Sequence, residues 1–221
     1  MKRLSSCANG LDRLIGGGFP ENDVILLSGG SGSGKTIFGL QFVCTPKSEP
    51  GLYITFEDGP EEIRSIADSF GWDINLAEEK GRVRVIKFDP FQLEDVMDLI
   101  QNNIREMRAS RVVIDSISSL GTYAKELSEL RRNILLIKEI MKKNKCTTVL
   151  ISETPDGGIS RFGVEEFIAD GVIALRSILS KGEYRRGLNI VKMRGTRHSS
   201  RLHQYEITGR GFSVSQKALY S

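Results

Sequence analysis

Eight consecutive residues, Gly29, Gly30, Ser31, Gly32, Ser33, Gly34, Lys35 and Thr36, fit the pattern G-x-x-x-x-G-K-[ST]. Their chemistry is phosphate binding. Glycines let consecutive backbone N–H groups turn inward around a β-phosphate, and a helix opening at the end of the run adds positive potential. Lys35 neutralises β- and γ-oxygens, and the Thr36 hydroxyl ligates Mg²⁺. Two acids could complete such a site. Asp115 closes the apolar run Val112-Val113-Ile114, where a carboxylate can meet the metal's water shell; capping the following segment is its other possible role. Glu57 closes Leu52–Phe56 and, if that strand neighbours the phosphate-loop strand, could orient and partly deprotonate an attacking water. Asp58 suits a loop acid or a cap before Pro60. The reaction these groups suit is hydrolysis of ATP with Mg²⁺.

The surrounding pattern supplies elements to hold them. Val24–Ser28 is a continuous apolar run bounded by turn residues, as expected of a strand buried on both faces, and it feeds directly into the glycine run. Ile37, Leu40, Gln41 and Val43 then mark a helix ending before Pro46. Further strands are expected at Leu52–Phe56, Val83–Phe88, Arg111–Asp115 and Cys146–Ser152. Between them, Pro60-Glu61-Glu62 opens one helix. Leu93, Met97, Ile100, Ile104 and Met107 share one helical face, as do Leu127, Leu130, Ile134, Ile137 and Met141. Strands alternating with helices predict an α/β fold with a mostly parallel central sheet and helices on both faces. From Gly171 onward, short strands at Val172–Leu175, Leu188–Met193, Gln204–Thr208 and Phe212–Val214 read as antiparallel hairpins extending that sheet. Before the first strand, Leu11, Leu14 and Ile15 form a short helical turn stopped by glycines. With no linker or internal repeat, residues 1–221 form one domain.

Several of these segments together resemble a single KaiC-type domain of the RecA superfamily. They are the glycine run, Ile54-Thr-Phe-Glu57-Asp58, Val112-Val-Ile-Asp115, Arg161-Phe-Gly-Val-Glu-Glu-Phe167 and Lys192-Met-Arg-Gly-Thr-Arg-His198. The resemblance runs from Gly10 to Val214. It implies a RecA-type P-loop core with one strand between the phosphate-loop strand and the Asp115 strand, and ATP bound between subunits of a homo-oligomeric ring. It also implies Glu57 as the catalytic carboxylate, Lys192 and Arg194 reaching a neighbouring subunit's ATP phosphates, Arg186 packing on adenine, and His198 as an interface histidine. Outward-facing residues of an edge strand are the alternative for Lys192 and Arg194, which two-residue spacing puts on one face. Glu153 stands where the superfamily has a residue sensing nucleotide state, ahead of a glycine-bearing loop, Thr154–Phe162, that is equally well a simple exposed loop.

The remaining features bound the function. Net charge is only +3, too little to argue for a polyanion partner. Yet between Arg176 and Arg210 nine basic residues face two acidic ones, Glu183 and Glu206, a segment that suits either phosphate binding or a solvated face. A RecA/RadA paralogue acting as an ATP-dependent DNA-binding or repair accessory protein is therefore the competing function. Against it, Arg161 is the one basic residue of the Thr154–Phe162 loop, no separate amino-terminal DNA-binding domain is expected, and Trp72, Tyr53 and Phe56 form no stacking stripe. Cys7, Cys44 and Cys146 are three and widely spaced, which suggests neither disulfides nor zinc and fits a reducing cytoplasm. Leu4-Ser-Ser-Cys7 lacks the apolar stretch of a signal peptide. No run approaches the ~18 apolar residues of a membrane span.

Overall fold

The computed structural model describes residues 2–46, 48–89, 93–124, 126–155, 158–180 and 182–219. The elements are, in order, β1 (Arg3–Leu4), α1 (Leu11–Leu14), β2 (Phe19–Pro20), β3 (Val24–Gly29), α2 (Lys35–Cys44), β4 (Gly51–Thr55), α3 (Pro60–Ser69), α4 (Ile74–Glu79), β5 (Val83–Lys87) and α5 (Leu93–Met107). There follow β6 (Arg111–Asp115), α6 (Ile117–Tyr123), α7 (Leu127–Lys143), β7 (Thr147–Glu153), α8 (Glu165–Ile168), β8 (Gly171–Ser180), β9 (Glu183–Met193), β10 (Leu202–Thr208) and β11 (Gly211–Ala218).

Nine strands form one sheet in the order β11-β10-β9-β8-β3-β7-β6-β4-β5. From β8 to β5 every pairing is parallel, and β9, β10 and β11 add on antiparallel. A parallel block must be covered on both faces because its crossovers place helices there. Accordingly β3 is buried at all six positions, and its side chains divide between two cores. Ile25 and Leu27 face one that contains Leu11, Phe38, Phe42, Ile63 and Ile74 from α1 to α4. Val24 and Leu26 face another built on Ile100, Ile104, Ile117, Leu130, Ile134 and Ile137 from α5 to α7.

As the resemblance implied, β7 separates the phosphate-loop strand β3 from the Asp115 strand β6. The Glu57 strand does not neighbour β3: β4 lies beyond β6. Two capping expectations also change. Gly59, not Asp58, caps α3, with the Glu62 carboxylate accepting from the Gly59 N–H at 2.8 Å. Ser116 is the cap position of α6, which leaves the Asp115 carboxylate for other partners. Leu127, expected on the buried face of α7, is 55% exposed because the first turn of that helix lies outside the core. The C-terminal strands run longer than their apolar centres, since β8 and β9 pair as far as Ser180 and Glu183.

Candidate functional site

The glycine run leaves the carboxyl end of β3 and turns into α2. Gly32 and Gly34 hold φ of 71° and 87°, left-handed conformations that cost other residues 1 kcal/mol or more. At Gly34 a Cβ would also stand 2.3 Å from Ile207 Cδ1. Within the loop, Ser33 Oγ donates to the Gly30 carbonyl at 2.8 Å and Lys35 Nζ to the same oxygen at 2.9 Å. Burial, the largest influence on Lys35, draws its pKa down, opposed by the charges of Glu153, Asp115 and Glu57. The loop opens onto a cavity of about 150 Å³ whose walls include Thr154, Leu175, Arg176, Arg186 and Tyr205.

Thr36 and Asp115 meet as the sequence suggested: Thr36 Oγ1 donates to Asp115 Oδ2 at 2.9 Å. The Tyr53 hydroxyl donates to the same oxygen at 2.6 Å. Burial pushes the Asp115 pKa up, with the Tyr53 and Thr36 hydrogen bonds opposing. A hydroxyl and a carboxylate oxygen side by side beside a phosphate-binding loop suit Mg²⁺, a hard cation that takes one or two protein oxygens and fills its octahedron with phosphate and water.

Glu57 reaches this end of the sheet although β4 is not next to β3. Its carboxylate Oε1 accepts from Ser119 Oγ and, at 3.2 Å, from Ser116 Oγ, both just beyond Asp115. The Glu57 carbonyl accepts from Lys87 Nζ at 2.6 Å. Glu153 ends β7 opposite Gly29 in the register, and its carboxylate pairs with Arg161 at 2.9 Å. Downstream, Phe162 packs against the second core, so the later part of the Thr154–Phe162 loop is anchored. Asp156 and Gly157 lie outside the described residues.

The basic segment divides. Arg176 and Arg186 line the phosphate-loop cavity. Lys192, in contrast, pairs with Val172, itself opposite Leu26, three residues and roughly 10 Å of strand before Gly29. There Lys192 Nζ donates to the Glu166 carbonyl at 2.7 Å, and Arg194 Nη1 lies 3.4 Å from Asp170 Oδ1. The strand ends at Met193, so no shared strand face joins the two residues. They remain neighbours through the Asp170 cluster, which also holds Lys138 and Lys142. His198 Nδ1 lies 3.0 Å from the Ser199 carbonyl, in a loop whose Ser199 N–H donates to Leu14 of α1. Lys192, Arg194 and His198 are thus away from the phosphate loop of their own chain.

Four contributors, Tyr53, Ser116, Ser119 and Tyr205, were not singled out as site residues from the sequence. Tyr53 read as an aromatic in a buried strand; a buried phenol needs a partner, and that requirement is the signal that could have pointed to Asp115. The serines of Asp115-Ser-Ile-Ser-Ser119 carry no periodicity. Tyr205 approaches the loop from a strand remote in sequence.

A family model described as "ATPase: KaiC" matches residues 4–218. A UPF0273 protein of Pyrococcus horikoshii is 35% identical over 234 residues, covering 96% of this chain and 94% of its own length. The circadian clock oscillator protein KaiC of Thermostichus vulcanus is 35% identical over 213 residues, which is 90% of this chain and 41% of that protein. The chain therefore spans less than half of that relative. Among solved structures, a KaiC-like protein from Pyrococcus horikoshii matches with a TM-score of 0.90 and 37% identity, over 97% of this chain and 99% of that one.

Proposed function

The chain belongs to the KaiC family of ATPases, and from that premise we propose that it hydrolyses ATP, with Mg²⁺, at a site completed by a second copy of itself. One observation carries the reading: Thr36, Asp115, Lys35 and Glu57, from three separate stretches of chain, converge on the carboxyl end of the sheet. Backbone N–H groups from Gly29 to Gly34 cradle the phosphates, and Lys35 meets the β- and γ-oxygens. Thr36 and Asp115 would hold Mg²⁺, which when bound would supply positive charge to offset that on the transferring phosphoryl group. Glu57 orients the attacking water and accepts its proton. Arg186 packs against adenine.

The remaining positive charge comes from a neighbour. Lys192 and Arg194 sit too far from their own loop to act there, and their placement at the other end of the sheet suits residues presented to the next subunit, with His198 in the same interface. Charge supplied in this way acts mostly in the transition state. Turnover is slow until a partner or the assembly itself aligns these groups. Three unpaired thiols fit a cytoplasmic location, and one RecA-type unit accounts for the whole chain.

DNA binding is the less favoured function, because the basic segment is split between two ends of the sheet and forms no single stripe. Mass measurement in solution, with and without a non-hydrolysable ATP analogue and beside an ATPase assay, tests the proposal: nucleotide should promote a homo-oligomer such as a hexamer. A monomer under all conditions that still hydrolyses ATP would overturn the shared site. A salt-sensitive gel shift with single- or double-stranded DNA would favour the accessory role.

A further inference from the structure

Glu57 stands on the turn that leaves β4 and is exposed. A glutamate on an exposed turn has three side-chain torsions free to vary, whereas a general base must keep its carboxylate within a few tenths of an ångström of a productive position. Something other than packing has to hold it. From the serine contacts we infer that Ser119, seconded by Ser116, is the positioning residue for the Glu57 carboxylate. This inference rests on the reading of Glu57 as the base.

Proton counting separates the two serines. Each hydroxyl has a single hydrogen to donate. Ser119 directs its hydrogen to Glu57 Oε1. Ser116, 3.2 Å from the same oxygen and 3.0 Å from Ser119 Oγ, can give its hydrogen to either. Ser119 is therefore the principal anchor and Ser116 the support. Both address Oε1, which leaves Oε2 as the oxygen to receive the proton of the attacking water.

The anchors themselves are rigid. Ser116 and Ser119 are 3% and 6% exposed, and Ile117 and Leu120 beside them are fully buried in the second core. Buried hydroxyls are costly unless bonded: Ser118 between them is partnered by Ser152 Oγ and the Glu153 N–H, whereas Ser116 and Ser119 are both turned towards Glu57. Because α6 follows Asp115 directly, one junction of the chain fixes both the metal-site carboxylate and the serines that hold the base. The distance between the two acids is then set by β6 and α6 and not by the torsional freedom of the Glu57 side chain.

The test compares Ser119→Ala with Ser119→Thr, which keeps a hydroxyl, in the wild-type and Glu57→Gln backgrounds, with Ser116→Ala as a second variant should the first fold poorly. Single-turnover hydrolysis, ATP affinity and the thermal midpoint are read for each. Ser119→Ala should slow hydrolysis by roughly tenfold to a hundredfold with affinity and midpoint unchanged. Ser119→Thr should recover much of the rate, and Ser116→Ala should show a smaller loss of the same kind. In the Glu57→Gln background, removing the Ser119 hydroxyl should cost nothing further. A full wild-type rate in Glu57→Gln would sink the base reading itself. If Glu57→Gln collapses while Ser119→Ala is unchanged, faster, or equally harmful in both backgrounds, Glu57 stands as the base and its positioning by Ser119 is wrong.

Discussion

The Tyr205 hydroxyl donates to the carbonyl oxygen of Ser33 at 2.8 Å, so the tip of the phosphate loop is tied to a strand 172 residues further along the chain. Tyr205 stacks on Phe212 with ring centroids 4.5 Å apart, and Ile207 of the same strand closes the space beside Gly34. The β10–β11 hairpin is thus a back wall for the loop. Burial pushes the phenol pKa up to about 12, which keeps the hydroxyl protonated as a donor throughout the physiological range. Tyr205→Phe preserves the stack and removes only the donor, leaving the Ser33 carbonyl short of a partner. The loss of about 1 kcal/mol should appear as ATP binding weakened threefold to tenfold. Unaltered affinity in a calorimetric titration would show that the hairpin does not brace the loop.

Lys35→Ala should separate binding from folding. The ammonium is held among the loop carbonyl of Gly30 and the charges of Glu153, Asp115 and Glu57 while burial disfavours its charged state, so the side chain is placed for a ligand at some cost to the fold. Its removal should abolish detectable ATP binding and leave the unfolding midpoint unchanged or slightly raised. Retained ATP affinity in fluorescence titration would refute the assignment of the loop.

Asp170 lies at the opposite end of β3, where its carboxylate accepts from Lys138 Nζ at 2.6 Å and pairs with Lys142 at 2.9 Å. Burial acting alone would raise its pKa, but the hydrogen bonds from Lys138 and Lys142 and from the Val24 N–H hold it below the ordinary 3.8. A carboxyl that is more acidic folded than unfolded contributes stability above its unfolded pKa and loses it as the pH falls through the folded value. Asp170→Asn should therefore destabilise the protein by about 3 kcal/mol near neutral pH. The gap from wild type should narrow below about pH 4. Urea titrations at pH 7 and pH 3.5 check this, and a gap independent of pH would exclude the carboxylate charge as its source.

The parallel core was readable because its central strands are largely apolar and its long helices repeat at three and four residues: Val24–Ser28 and Arg111–Asp115 appear in the structure at those places, as do Met97, Ile100 and Ile104 on the buried face of α5 and Leu130, Ile134, Ile137 and Met141 on that of α7, while Leu127 is exposed and the side chain of Leu93 lies outside the described residues. The short helices α4, α6 and α8 were not legible. Six, seven and four residues long, they give too few turns for a period, and α6 is fixed by tertiary contacts of Ile117 and Leu120. For the site, Gly29–Thr36 and Asp115 announce themselves because phosphate and metal chemistry fixes residue types at fixed spacings. Glu57 was legible as an acid at a strand end and through the KaiC-type resemblance, and the condition set for it, a strand next to the phosphate-loop strand, is not met. What brings it to Asp115 is the Ser116 and Ser119 contact across two elements, which no local pattern encodes. Tyr205 was hidden for the same reason, since its role exists only once β10 has joined the sheet.

The shared-site proposal has a mixing consequence. If Arg194 and Lys192 serve the next subunit, Arg194→Ala should lower turnover strongly while leaving nucleotide binding to the isolated chain nearly intact. The 3.4 Å approach of its side chain to Asp170 is long, the backbone hydrogen bond from the Arg194 N–H to the Asp170 carbonyl survives the substitution, and Asp170 keeps Lys138 and Lys142, so the fold should survive. Glu57→Gln should bind ATP and turn it over poorly. Each variant alone contains only broken sites. In a mixed oligomer, some interfaces join a subunit that keeps Glu57 to a neighbour that keeps Arg194, and those composite sites are whole. Partial recovery of ATPase activity on mixing, with oligomers verified as mixed by native mass measurement, is the expected result. Verified mixed oligomers without recovery would place Arg194 in the service of its own chain or of packing, and would return the Lys192–His198 segment to a solvated or DNA-facing role.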